Sequence, residues 1–177
     1  MWTFWFLFAC ASNDKGDAGI DSEPALPPER IVLHEVFSGS NCGPCAPAAD
    51  NLAAALVDHD GHYSMLKYQI GSDPYITQEA VSRRMFYLPD QDTYGIPYVH
   101  ADGQGFHPND MDGSETPYSA EDFLTFLEAP AVLGVDLQAS LNDQTVEITI
   151  GLKPFEDIRG ENLVLLVAIG EKTTFEN

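Results

Sequence analysis

The residues whose types and spacing point most directly to chemistry are the two cysteines of Cys42-Gly43-Pro44-Cys45. Two thiols at this C-x-x-C spacing can close a small disulfide and open it again. The tetrapeptide follows an apolar segment with strand character and opens a predicted helix. Because a helix N-terminus stabilises a thiolate, which is the form that attacks a disulfide, this position favours a reactive cysteine pair.

Two other uses of the cysteine pair remain open. The first is a structural or relic disulfide in a non-catalytic surface adhesion or binding protein. The second is a metal site, but zinc is typically held by four side chains, so His34, His100 or His107 would have to complete the set. The absence of a second cysteine pair in the sequence favours redox chemistry over metal binding. We therefore expect no cofactor other than the redox-active disulfide itself.

The elements around the cysteines predict an α/β unit over residues 30–129. The mostly apolar segment 31–37 is typical of a central strand, and residues 38–41 form the turn that leads into the cysteines. Ser119 and Asp122 resemble a helix capping box. The predicted elements, in chain order, are a strand at 31–37, a helix at 42–59, a strand at 64–70, a helix starting at Asp73-Pro74, a strand at 95–100, a short strand from Phe106-His107, and a helix after Ser119.

The pattern changes after Pro130. Apolar and polar residues alternate over 135–141 and again over 146–152, with Asn142-Asp143 as a turn between them, and residues 163–169 form a continuous apolar run. Three such strands without a helix favour a β-sandwich-like domain. The predicted fold class is thus α/β followed by a partial all-β domain over 130–177, which we expect to be truncated.

The N-terminal segment predicts export and a lipid anchor. The apolar run over residues 2–9 is shorter than the about 20 residues that span a bilayer, and it resembles the end of an export signal. Leu7-Phe8-Ala9-Cys10 is similar to a lipobox, in which Cys10 would carry the lipid. We therefore interpret residues 1–10 as a signal and lipobox, and the Gly-, Pro- and Ser-containing residues 11–29 as a flexible tether.

The charge of the chain limits its partners. The sequence has 8 basic and 28 acidic residues, for a formal net charge of −20. Such a surface repels nucleic acid and anionic membranes, so we expect no nucleic-acid partner and membrane contact only through the lipid anchor.

The arrangement of these motifs resembles the thioredoxin fold, in which a strand leads to C-G-P-C at a helix start and a G-I-P segment follows about fifty residues later. The longer segment 33–47 is similar to the cysteine-containing signature of the outer membrane protein 28-related family. Those are thioredoxin-like bacterial surface or periplasmic proteins, often lipoproteins, with a C-terminal β domain. The resemblance covers roughly residues 30–177.

The resemblance implies a function and a set of site residues. Cys42 would attack a substrate disulfide and Cys45 would resolve the mixed disulfide, while Pro97, in a cis peptide bond, and the backbone of Ile96 would bind an extended substrate chain. The implied activity is thiol–disulfide exchange with extracytoplasmic proteins and a separate redox partner, in the periplasm, at the outer membrane or on the cell surface.

Three features depart from the pattern of these related proteins. Ala46 separates Cys45 from Pro47, where the family often has proline directly after the cysteine. Asn41 stands where tryptophan usually precedes the first cysteine, and Val36 stands where thioredoxin has a buried acid that accepts a proton. Glu35 is one position away, so we expect its side chain on the other face of the sheet. A relay from Glu35 through a water molecule is the candidate that remains for this proton transfer.

Overall fold

The computed structural model describes residues 29–88, 95–106, 118–159 and 163–170. Residues 30–129 belong to one compact unit, and the residues from 130 onward belong to a second. The predicted signal and lipobox over 1–10, with Cys10, and most of the predicted tether lie outside the described residues, as does His107. Within the described segments, no helix combines the length and the apolar character needed to cross a bilayer.

The first unit is a mixed α/β structure built on a four-stranded sheet, as predicted at the level of fold class. The sheet order is β2-β1-β3-β4, with β1 and β2 parallel and the other neighbouring pairs antiparallel. The central strand β1 pairs with strands on both sides, so its C-terminal end is held in place. The turn that carries the cysteines follows directly from this end. The elements are β1 (Val32–Ser38), α1 (Cys45–Leu56), β2 (Tyr63–Gln69), α2 (Gln78–Tyr87), β3 (Tyr98–Ala101), β4 (Gln104–Phe106) and α3 (Ala120–Glu128).

Alternate residues of β1 supply two separate cores on the two faces of the sheet. On one face, Val32 packs with Leu52 and Leu56 of α1 and with Phe123 of α3. On the other face, Phe37 packs in a cluster with Ala80 of α2 and with Ile70, Leu88 and Tyr98. The cysteine-bearing helix α1 and the helix α2 therefore cover opposite faces of the sheet.

Two predicted helix starts are wrong, and each has a local cause. The first helix begins at Cys45 and not at Cys42, because Cys42 lies in a turn in which the Cys45 N–H donates to the Cys42 carbonyl at 3.2 Å. The second helix begins at Gln78, with the Thr77 hydroxyl accepting from the Ala80 N–H at 3.1 Å. Asp73 does not cap this helix, because its carboxylate accepts hydrogen bonds from other backbone groups.

The predicted capping box of the third helix is confirmed. The Ser119 hydroxyl accepts from the Asp122 N–H, and the Asp122 carboxylate accepts from the Ser119 N–H. These two contacts are local, so the sequence pattern alone was enough to locate the start of α3.

The second unit contains an antiparallel hairpin of β5 (Leu133–Asn142) and β6 (Thr145–Pro154). Apolar residues of the two strands lie directly opposite one another, as at Val135 and Leu152 or Leu137 and Ile150. The predicted third strand over 163–169 is wrong, since residues 163–170 are exposed and form no strand. An apolar run becomes a strand only where it finds a sheet edge, so the described residues give a two-stranded sheet in place of the expected sandwich.

Candidate functional site

The two cysteines of the C-x-x-C motif form a disulfide in the structure. Their sulfur atoms are 1.99 Å apart, and their Cα atoms are 5.3 Å apart. Cys45 is the first residue of α1 and is buried, with 5% of its surface exposed, whereas Cys42 is partly exposed in the turn before the helix. A partner molecule can therefore reach the sulfur of Cys42 more readily than that of Cys45.

The turn before the cysteines, residues 38–41, is held against the segment that follows β2. The Ile70 N–H donates to the Ser38 carbonyl at 2.9 Å, and the Ser40 N–H donates to the Asp73 carboxylate. Gly39 packs so closely here that a Cβ atom would lie 2.9 Å from the Ile70 carbonyl oxygen. Glycine is required by this close approach, and the turn has little room to shift.

The segment before β3 brings Ile96 and Pro97 to the same place. The Ile96–Pro97 peptide bond is cis, as the resemblance implied, and Pro97 is buried. The carbonyl oxygen of Ile96 lies 3.6 Å from the sulfur of Cys42. The structure thus gathers Cys42, Cys45 and Ile96 at one location, although more than fifty positions separate Cys42 from Ile96.

A groove of about 330 Å³ opens beside Cys42. Its walls come from the turn before the cysteines and from the segment after β2, and Ile96 closes one side. The lining includes Gly39, Asn41, Cys42, Gly71, Asp73 and Ile96. Three of the lining residues are glycines, Gly39, Gly43 and Gly71, and the absence of side chains there leaves room for an extended chain to approach the sulfur of Cys42.

Glu35 lies on the α2 side of the sheet, away from the face that α1 covers. Its Oε1 accepts from Arg83 Nε at 2.7 Å and from the Tyr68 hydroxyl at 2.9 Å, and its Oε2 accepts from Arg83 Nη2 at 2.7 Å and from the Tyr87 hydroxyl. Burial raises the pKa of the Glu35 carboxyl, but the hydrogen bonds from Arg83, Tyr87 and Tyr68 outweigh burial and hold this pKa below its ordinary value.

Glu35, Arg83, Tyr68 and Tyr87 form a hydrogen-bonded cluster that clamps α2 to β1. Burial and the neighbouring Glu35 carboxylate raise the pKa of Tyr87 to about 12, so Tyr87 stays protonated and keeps donating its hydrogen bond. Tyr87 also stacks on His100 of β3, with ring centroids 3.8 Å apart. Four donors occupy the lone pairs of Glu35, which leaves it poorly suited to relay a proton to Cys45 on the other face.

Arg83 is a residue whose role the sequence analysis missed. It contributes both an ion pair with Glu35 and cation–π contacts with Phe86 and Tyr87, at 4.9 and 4.6 Å from the ring centroids. A signal was present in the sequence, since a carboxylate within a mostly apolar central strand needs a cationic or hydrogen-bonding partner. The spacing of 48 positions between the two residues carries no periodicity that would identify that partner.

Of the histidines considered as metal ligands, His34 and His100 pack elsewhere than at the cysteines, and His107 lies outside the described residues. His34 is fully buried on the α1 side, where its Nε2 lies 2.8 Å from the Tyr118 hydroxyl, and burial lowers the pKa of its imidazole. His100 belongs to the aromatic stack with Tyr87 on the other face. In the part of the chain that the structure describes, no three histidine, cysteine, aspartate or glutamate side chains are arranged to hold a metal ion.

Asp73 is a second residue whose role the sequence analysis missed. Its Oδ2 accepts from the Ser40 N–H, and its Oδ1 accepts from the Tyr75 N–H at 2.8 Å. Burial raises the pKa of the Asp73 carboxyl, but these two hydrogen bonds, a further one from the Ser40 side chain and the charge of Lys67 outweigh burial and bring this pKa below its ordinary value. An ionised carboxylate therefore stands in the lining of the groove beside Cys42.

Comparisons of the chain with protein-family models, with curated proteins and with solved structures give no match in any of the three cases.

Proposed function

We propose that this protein is a thiol–disulfide oxidoreductase with a thioredoxin-like fold. The observation that carries the proposal is the pairing of an accessible Cys42 with a buried Cys45, beside a groove and 3.6 Å from the carbonyl that precedes a cis-proline. The strand order β2-β1-β3-β4, with helices on both faces, is consistent with this assignment. The thioredoxin-like assignment itself rests on the motif resemblance.

The proposed reaction is a pair of exchanges between sulfur atoms. In the reduced protein, the thiolate of Cys42 attacks one sulfur of a substrate disulfide. A Cys42–substrate disulfide forms, the substrate S–S bond breaks, and the leaving thiolate takes a proton from water. The Cys45 thiol then gives its proton to water, and its sulfur attacks Cys42. The Cys42–Cys45 bond forms and the second substrate thiolate leaves.

The same steps in reverse oxidise a substrate dithiol. Either direction transfers two electrons, so turnover requires a second dithiol or disulfide protein that restores the starting state of the pair. The proton of Cys45 passes to solvent in this scheme and not to Glu35, because the Glu35 carboxylate is engaged with Arg83 and two tyrosines on the opposite face.

The experiment is reduction of insulin by protein that dithiothreitol recycles. We expect the wild type to accelerate the reaction, Cys42→Ser to abolish the acceleration, and Cys45→Ser to accumulate a covalent complex with a disulfide-containing peptide. Cys10→Ser is the matched control and should keep the wild-type rate. A wild-type rate equal to that of Cys42→Ser would contradict the proposal and favour a non-catalytic binding protein with a structural disulfide.

We further propose that the protein is exported and held in the bacterial envelope by a lipid on Cys10. The support is the apolar run over 2–9, the lipobox-like segment ending at Cys10, and the strongly acidic composition, which suits a domain that projects away from an anionic membrane. Full-length protein expressed with a palmitate analogue should carry the label, and Cys10→Ala should lose it. Labelling that survives this substitution would contradict the anchor.

A further inference from the structure

Besides the backbone contact between Ile70 and Ser38, two side chains attach the turn that presents Cys42 to the segment after β2. The Asp73 carboxylate accepts the Ser40 N–H, and the Asn41 side-chain amide donates to the Ser72 carbonyl at 3.4 Å. The Gly39 carbonyl accepts from the Cys42 N–H at 3.3 Å, which closes the turn on itself. The contact with Asp73 is the one that involves an ionised group, so we expect it to be the strongest of them.

We propose that Asp73 is a positioning residue for Cys42. Its carboxylate fixes the backbone of Ser40 and places a negative charge beside the groove. This charge disfavours the Cys42 thiolate and thereby lowers the reduction potential of the Cys42–Cys45 disulfide. The consequence for redox direction rests on the proposed exchange reaction. The effect on the Cys42 thiol does not depend on that reaction.

Two features of the contact favour this role. First, the Ser40 N–H donates to the Asp73 carboxylate, so this N–H does not donate to a thiolate at Cys42, two residues further along the chain. Second, the charge lies near Cys42, because Asp73 and Cys42 line the same groove and the Asp73 carboxylate binds the backbone two residues before Cys42. Asp73 is buried, and salt screens a buried charge less than an exposed one, so the carboxylate disfavours a thiolate at Cys42.

The charged groups near Asp73 do not neutralise its carboxylate at the groove. Among the described residues that line the groove, Asp73 is the charged one. Lys67 acts on Asp73 from β2, but its side chain is exposed, so water screens its charge. The net result is an anionic wall next to the attacking sulfur.

Asp102 provides a matched control at the other end of β1. Its carboxylate also accepts a backbone N–H of this region, from Leu33 at 2.9 Å, and it pairs with Arg30 at 2.7 Å. Leu33 and Ser38 are five residues apart in an extended strand, which separates the two ends by about 17 Å. Asp102 therefore performs a similar structural task without a charge close to Cys42.

The test is titration of the Cys42 thiolate by its ultraviolet absorbance, in full-length protein carrying Cys10→Ser and Cys45→Ser so that Cys42 is the remaining thiol. We expect Asp73→Asn to lower the pKa of Cys42 by about half a unit or more, and Asp102→Asn to leave it unchanged. With the Cys42–Cys45 pair intact, Asp73→Asn should shift the equilibrium with glutathione at least threefold toward the dithiol. This shift corresponds to about 14 mV for a two-electron couple.

Several outcomes would overturn the proposal. An unchanged or higher Cys42 pKa in Asp73→Asn would do so, as would an equal change in Asp102→Asn. If Asp73→Asn does not fold, Asp73→Ser replaces it, since serine removes the charge and keeps a hydroxyl that can accept a nearby backbone N–H. Because the titration needs no substrate, its failure is distinguishable from failure of the insulin assay, which tests the proposed function alone.

Discussion

Replacing Glu35 by Gln should lower the free energy of unfolding of the first unit by about 3 kcal/mol. Glu35 is 2% exposed and accepts four hydrogen bonds, two of them from Arg83. Removing one partner of a buried ion pair typically costs about 3–5 kcal/mol, because the other charge is left without compensation. The Arg83 side chain keeps 19% exposure and can recover some hydration, so we take the lower end of this range.

Urea unfolding followed by far-ultraviolet circular dichroism measures this loss. The midpoint should fall while the slope with denaturant stays the same, since the substitution changes stability and not the surface exposed on unfolding. The control is Asp157→Asn, which removes an exposed ion pair with a separation of 3.9 Å and should leave the midpoint unchanged. A loss below about 1 kcal/mol in Glu35→Gln would refute the reasoning that this cluster clamps α2 to the sheet.

Glu35→Gln should also change how the free energy of unfolding depends on pH. The hydrogen bonds that outweigh burial hold the pKa of Glu35 below its ordinary value of 4.5, so the folded state binds a proton less readily than the unfolded chain. The stability from this group is therefore present above pH 4.5 and is lost as the pH falls through the folded-state pKa. Glu35→Gln should lack this part of the acid dependence. Its insulin-reduction rate per folded molecule should equal that of the wild type, and a slower rate would instead favour a proton relay.

Two further predictions concern Gly39 and His34. Gly39→Ala should cost about 1–3 kcal/mol and slow insulin reduction, because its Cβ would lie 2.9 Å from the Ile70 carbonyl oxygen, whereas Gly43→Ala, whose Cβ meets nothing within 4 Å, is the control and should keep its stability. Equal effects of the two substitutions on the urea midpoint would contradict the packing argument. Burial lowers the pKa of His34 below 6.5, so the unfolding free energy should fall as the pH drops below 6.5 and the unfolded chain binds a proton that folded His34 does not. His34→Phe should flatten this part of the midpoint profile, and an unchanged profile would exclude His34 as its source.

Features that depend on neighbouring residues were predictable from the sequence. The C-x-x-C spacing, the α/β order of elements over 30–129 and the capping box at Ser119 follow from contacts within a few positions, or from periodicity along one element. The position of Glu35 on the other face of the sheet also follows, because side chains alternate along a strand.

The tertiary structure decided the features that depend on residues distant in the sequence. The local sequence predicts that Asp73 caps a helix. In the structure its carboxylate accepts the N–H of Ser40, 33 positions earlier, and the helix begins at Gln78. Glu35 reads as a candidate relay, but Arg83 binds its carboxylate from a helix 48 positions away. A buried polar group takes whichever partner the fold brings within about 3 Å, and the pattern of residues along one segment does not specify that partner.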